Sequence, residues 1–291
     1  MEQLIPIEQT MATNTALVVR VAVGQPPKLS KEDIPRPSPT ANQVLVKLSH
    51  VAQNPTDVQA FDSNVFGEGA VLGCAFVGEV IELGSDVTRL AEGDVAAGLV
   101  WGGEAKGLGA YSQYCLADER ISFKIPGNVS RAHASTIPLA AATAWLALFS
   151  KDCLALDRTQ AKGTSVLVWG GSSSVGLYTI QLASIFGFDV VTTCSPKHSD
   201  LARSYGARHV FDYKNSDVAE KIREVAPSLG HASKEDHKLA TELFENLPAW
   251  LEKGTIKPNN PKVLAGSDAV ADGFQEYRDG KVSAYKIVYE L

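Results

Sequence analysis

The chain has 291 residues, 45% of them hydrophobic, and a formal net charge of −6, a length that buries a sizeable core in about two domains. The acidic balance excludes general binding to nucleic acid or to anionic membrane surfaces. There is no uninterrupted apolar run of about 18 residues, and Cys74, Cys115, Cys153 and Cys194 are too far apart for a C-x-x-C zinc knuckle, so reduced thiols in a cytoplasmic protein are expected.

In chain order, residues 1–12 read as a loose tail, unlike a signal sequence because Glu2 and Glu8 flank its short apolar patch, and Met11 offers an alternative start. From Ala16 to Lys124 come short β-rich runs, A-L-V-V-R-V-A-V, Q-V-L-V-K-L-S, F-V-G-E-V-I-E-L and Y-S-Q-Y-C-L-A, separated by clusters such as P-R-P-S-P-T. Ala132 to Phe149 reads as one alanine-rich helix. Beyond Thr164 strands alternate with helices, the pattern of a parallel sheet in an α/β fold. Val166–Trp169 and Asp189–Cys194 are its first two strands, V-F-D-Y ends the third at Tyr213, and Asp217–Val225 is helical. Ser233 can cap a later helix bearing Leu239, Leu243, Leu247, Trp250 and Leu251, kinked at Pro248 and stopped by Gly254. Ala284–Leu291 is a last strand, with Ile287 and Tyr289 on one face and Lys286 and Val288 on the other.

The segment V-L-V-W-G-G-S-S-S-V-G-L-Y joins a buried strand to a glycine-rich turn and a helix whose apolar residues Val175, Tyr178, Leu182 and Phe186 recur at helical spacing. That shape fits a dinucleotide site built from Gly170, Ser172, Ser173, Ser174, Val175 and Gly176. Gly170 and Gly176 permit a tight turn and close packing, and free amides at the helix start face a pyrophosphate. Ser173 replaces the usual middle glycine, narrowing the approach while offering a hydroxyl. An ordinary strand-to-helix turn is the alternative. No acid follows the second strand, where an NAD site places one on the ribose. Ser195 and Lys197 stand there instead and would suit a ribose 2′-phosphate, hence NADPH.

Taken in order, N-P-T-D (Asn54–Asp57), L-G-C-A-F-V-G-E-V, E-G-D-V, G-A-Y-S-Q-Y, A-A-A-T-A-W-L-A-L, the glycine turn and G-K-V-S-A-Y-K-I-V-Y resemble the medium-chain dehydrogenase/reductase family. The likeness is to its zinc-independent quinone-reductase and enoyl-reductase branch, and within it to the fungal trans-acting enoyl reductases that serve polyketide synthases. The resemblance implies a GroES-like substrate domain (13–135 and 262–291) beside a Rossmann domain (136–261). Positions that hold catalytic zinc in alcohol-oxidising relatives resemble Asn54 and Cys74 here, and 98–110 lacks the cysteine cluster of a structural zinc, so no metal is expected.

A metal-free site suits hydride delivery to a C=C bond conjugated to a carbonyl, followed by protonation of the enolate. The resemblance makes Asn54 and Thr143 the candidate catalytic donors, Thr143 near the nicotinamide carboxamide, and sets Tyr213 against the adenosine 2′-phosphate with Ser195 and Lys197, the alternative for Tyr213 being a partly buried aromatic at a strand end. The alternatives are a loop brace for Asn54 and Asp57, and for Thr143 a bond back to its own helix. Gln59 stands where related proteins often have lysine and cannot donate a proton. The substrate is expected to be a small molecule or a carrier-bound acyl group, with a polyketide synthase as partner. Free quinones or enones, or a non-catalytic binding role, are the other readings. Between Val225 and Ser233 the family's further strand–helix units have no counterpart, a deficit of roughly 60 residues. The Rossmann domain therefore reads as internally shortened, with weak cofactor binding and low turnover expected.

Overall fold

The alternating apolar positions of residues 13–124 produce antiparallel strands, and the longer apolar periods beyond them produce helices on a small parallel sheet. The computed structural model describes residues 12–226 and 237–291, so the anticipated tail and the Ser233 cap lie outside the described residues. Strands β1 (Thr13–Arg20) and β2 (Lys28–Pro35) form an antiparallel ribbon, with Thr13 opposite Pro35 and Arg20 opposite Lys28. β2 escapes the sequence pattern because it is a charged, largely exposed strand paired on one side.

The larger sheet is built from β3 (Gln43–Ala52), β4 (Ala75–Leu83), β5 (Val95–Leu99), β6 (Tyr114–Asp118), β7 (Ser122–Lys124), β11 (Pro261–Ala265) and β12 (Lys286–Glu290). Its order is β11-β12-β3-β4-β5-β7, with β6 also on β3. β12 therefore inserts a C-terminal strand beside β3, pairing Val288 with Ala52 and Tyr289 with Val51. Val44, Val46, Val51, Phe76, Tyr111, Phe274 and Tyr289 fill the core on one side.

The parallel sheet has the order β10-β9-β8, from β8 (Ser165–Trp169), β9 (Asp189–Cys194) and β10 (His209–Asp212). Helices α4 (Ser174–Ile185), α5 (Ser199–Ser204) and α6 (Val218–Val225) connect and follow these strands. Among the described residues β8 has a strand partner on one edge only, and Trp169 at its end is 61% exposed.

The single alanine-rich helix expected over 132–149 is two. α2 (Arg131–Ser135) is capped by Ser130, and α3 (Pro138–Phe149) begins at a proline, which supplies no amide to continue the first helix. By length and composition Arg131–Phe149 is apolar enough to cross a membrane, although Arg131, His133, Ser135 and Thr136 interrupt it, and 61% of it is buried within this fold. Trp145, Leu148 and Phe149 pack with Leu243, Phe244, Leu247 and Leu251 of α7 (His237–Glu252). α7 continues past Pro248 for another turn, the Asn128 amide donates to the carbonyls of Leu251 and Glu252, and Gly254 turns the chain at φ 67°.

Candidate active site

β8 runs straight into the glycine turn. Gly170 adopts φ 89°, a left-handed conformation that favours glycine. The turn is fastened to the next strand: Gly170 N donates to Thr193 Oγ1 at 3.2 Å and Gly171 N to Thr193 O at 2.8 Å. A Cβ on Gly176 would lie 2.4 Å from Gly170 O, so glycine is what allows α4 to approach the turn. Ser173 is exposed and caps α4, its hydroxyl oxygen accepting from Gly176 N at 3.1 Å. The oxygen thus replaces any phosphate at that amide, while the amides of Ser174 and Val175 remain at the helix start. Asn259, buried between the two sheets, donates from Nδ2 to Ser174 Oγ at 2.7 Å and receives no bond on its own Oδ1 among the described residues.

At the same C-terminal end of the parallel strands, beside the glycine turn, Cys194 of β9 lies opposite Asp212 of β10. Ser195 and Tyr213 therefore leave neighbouring strands at the same edge. Lys197 is exposed two residues on, and Tyr213 is 42% exposed with the Lys214 ammonium 5.9 Å from its ring centroid. His198 Nε2 meets Ser283 Oγ at 3.0 Å, tying this edge to the segment before β12.

The N-P-T-D segment is a helix start, and the brace considered from sequence takes the form of a capping box between Asn54 and Asp57. Asn54 precedes α1 (Pro55–Asp62), and its backbone N–H donates to Asp57 Oδ2 at 2.7 Å. Both residues are buried. The Asn54 amide nitrogen donates to Ala52 O at 3.0 Å and approaches Asp57 Oδ2 at 3.5 Å, while its Oδ1 accepts from Lys286 Nζ at 2.5 Å. The donors expected of Asn54 thus point into the protein, and the cation beside it comes from β12. Lys286 is 5% exposed, and burial pushes its ammonium down to about 8, opposed by Asp57 and Cys74. The same burial raises the Asp57 carboxyl and the Cys74 thiol above their ordinary ranges. Tyr111 O–H reaches Asp57 Oδ2 at 3.4 Å.

Two cavities flank this cluster. One of about 370 Å³ is lined jointly by Asn54, Lys286, Ser283 and the turn residues Gly170, Ser172, Ser173 and Ser174. The other, about 270 Å³, is lined by Asp57, Cys74, Leu139 and Thr143 with Leu99, Trp101 and Glu104. Thr143 is exposed in a helix otherwise mostly buried, so it faces this cavity while its hydroxyl donates to Leu139 O at 2.8 Å. The bond back to its own helix is thus present, and the oxygen stays available as an acceptor toward the cavity. Gln59 is turned away, donating to Tyr277 O–H at 3.1 Å. Among the described residues no group of three or more His, Cys, Asp and Glu side chains is placed to hold a metal.

Sequence reasoning missed Lys286, Thr193 and Asn259. For Lys286 a signal was present, a lysine between Tyr285 and Ile287 in an otherwise apolar strand. Four of the five residues of β12 are buried, so that lysine had no solvent face to occupy.

Residues 40–127 match the alcohol dehydrogenase GroES-like domain and residues 174–235 the zinc-binding dehydrogenase domain. A trans-enoyl reductase of Gibberella fujikuroi is 30% identical over 331 residues, covering 89% of this chain and 95% of that protein. Dehydrogenase azaJ of Aspergillus niger is 35% identical, covering 74% of this chain and 64% of its own length, and trans-enoyl reductase grgB of a Penicillium species is 38% identical, covering 66% and 55%. The chain thus spans little more than half to under two thirds of the length of these last two. In the Gibberella alignment 89% of 291 residues, roughly 259, faces 331 positions, so roughly 70 positions in all have no residue here. The solved CurK enoyl reductase shares the fold, with TM-score 0.73 and 19% identity over 90% of this chain and 95% of that one. A quinone oxidoreductase from Coxiella burnetii gives 0.69 and 21% over 96% and 99%.

Proposed function

The chain belongs to the medium-chain dehydrogenase/reductase family, and on that basis we propose that it is a cytoplasmic NADPH-dependent enoyl reductase. Its substrate is an α,β-unsaturated thioester carried by a polyketide synthase in secondary-metabolite biosynthesis. The observation that carries this reading is the 370 Å³ cavity in which the glycine turn of one sheet faces Asn54 and Lys286 of the other. Names of related proteins add direction, since several are trans-enoyl reductases.

The residues fit a dinucleotide. The turn brings Ser174 and Val175 amides and a helix N-terminus to a cleft whose opposite wall carries a buried cation, which suits a diphosphate. Ser195, Lys197 and Tyr213 gather at one strand edge with no carboxylate following β9 before the Lys197 turn, which favours a ribose 2′-phosphate. The bound cofactor supplies a hydride for the β-carbon of the enoyl group.

The chain's own groups then orient and stabilise. Thr143 offers an acceptor to the nicotinamide carboxamide from the wall of the second cavity. Asn54 acts by positioning, holding the Lys286 ammonium through its Oδ1. That fixed cation faces the glycine turn across the 370 Å³ cavity, where the diphosphate would lie. Neither Gln59 nor Asn54 presents a proton to the substrate, so the α-carbon takes its proton from solvent entering the open cavity.

The test is the loss of reduced-nicotinamide absorbance with NADPH and a crotonyl thioester of N-acetylcysteamine. Consumption with the thioester is expected. Consumption with free quinones but not with enoyl thioesters overturns this substrate assignment and selects a quinone reductase.

A further inference from the structure

The 270 Å³ cavity beside Thr143 falls below the roughly 300–1,000 Å³ of ordinary small-molecule sites. Part of its wall borders further space. A second cavity of about 400 Å³ shares Leu99, Trp101 and Glu104 with it and continues along Val100, Leu108, Leu116 and Ile121. The shared residues sit where β5 passes into the glycine-rich loop 101–109, and Trp101 there is a large aromatic side chain left 55% exposed. A tryptophan kept half in solvent costs apolar exposure without contributing to the core. Lining two adjoining cavities gives it a surface that a ligand covers. The walls of the outer cavity are mainly aliphatic, while Glu104 and Asp118 set acidic groups among them.

Resting on the enoyl-thioester reading above, we infer that Trp101 is a specificity-determining residue, a platform over which a long uncharged acyl chain passes from the Thr143 cavity into the outer one. The chain beyond the reacting double bond lies along the indole, and short acyl groups meet only the part of it that lines the Thr143 cavity. Acidic groups in the outer cavity disfavour chains ending in a carboxylate.

Binding and turnover separate this inference from the reading it rests on. Saturated butanoyl, octanoyl and dodecanoyl thioesters of N-acetylcysteamine are titrated calorimetrically into the wild-type chain, Trp101→Ala and Trp101→Phe. The wild type should bind the dodecanoyl thioester at least tenfold more tightly than the butanoyl one. Trp101→Ala should lose about tenfold for dodecanoyl, the value of roughly 60 Å² of apolar contact, and less than twofold for butanoyl. Trp101→Phe should keep most of the long-chain gain. Wild-type affinity that does not rise with chain length, or a rise that survives in Trp101→Ala, overturns the platform. Turnover of the matching enoyl thioesters is read separately: tight, length-dependent binding without reduction upholds Trp101 and removes the reductase assignment.

Discussion

The two halves of the candidate site are built to different tolerances. On the antiparallel side, Asn54, Asp57, Tyr111 and Lys286 are buried and cross-bonded, each held by strands or helices distant in sequence. On the parallel side, Ser173, Lys197 and Tyr213 are exposed, and they project from a sheet of three strands whose two edges are both unpaired among the described residues. Rigid burial suits the electrostatics of a reaction centre, where a misplaced group costs rate. Exposed groups at strand ends suit recognition of a ligand that brings its own charge, where each contact adds affinity and little geometry.

The largest expected effect comes from the unequal sheets. Inserting the roughly 70 positions that the Gibberella reductase has and this chain lacks, between Ala226 and His237, should raise enoyl-thioester turnover on the order of 100-fold or more by completing the cofactor wall. Equal rates with and without the insertion would show that three strands suffice, and the contrast between the halves would lose its functional meaning.

Next in size is the buried cation. Lys286→Met should weaken NADPH and NADH alike by on the order of 10–100-fold in equilibrium titrations, because a charge-assisted contact to the shared diphosphate is lost. The pH dependence has a definite sign. Lys286 is protonated below its pKa of about 8, so affinity should be flat below that pH and fall as pH rises through it. Its folded pKa lies under the ordinary value, so the folded chain binds fewer protons between about 8 and 10.5, and Lys286 should make the apo chain more stable as pH rises across that window. Affinity that climbs above pH 8 is incompatible with this cation serving the anion.

Lys197→Ala should act on one cofactor only. NADPH should weaken by about tenfold, with the exposed position screening part of a charge-assisted contact, while NADH stays within about twofold. Equal losses for both would remove the 2′-phosphate assignment at the strand edge. The smallest effect is expected from chelators, which should leave activity and stoichiometry unchanged. Zinc retained in equimolar amount after purification would falsify the metal-free reading of Asn54 and Cys74.

The parallel half was the more legible in sequence. Val166–Trp169, the turn and α4 are contiguous, so hydrophobic period and glycine spacing describe them within about 20 residues. Their third partner, Thr193, was hidden because its bonds to Gly170 and Gly171 follow from strand pairing. The antiparallel half was legible as strands and opaque as chemistry. Lys286 and Asn54 are 232 residues apart, and nothing in either local pattern says that β12 inserts beside β3. The break between α2 and α3 was readable from Pro138, whose ring and missing amide outweigh the helix preference of the surrounding alanines. β2 was opaque because a charged edge strand has no apolar alternation to detect.

The docking of α7 has a consequence for engineering. Segment 237–291 takes its position from Trp145 and Leu148 of α3, from Ser174 through Asn259, and from β3 through β12, all of which lie outside residues 226–233, where the sequence reading puts the shortening. On that reading the 226–237 junction is expected to serve as a cassette port. Strand–helix modules from different family members can be exchanged there as interchangeable parts, while α7, Asn259 and β12 act as a fixed socket that receives the chain on its return.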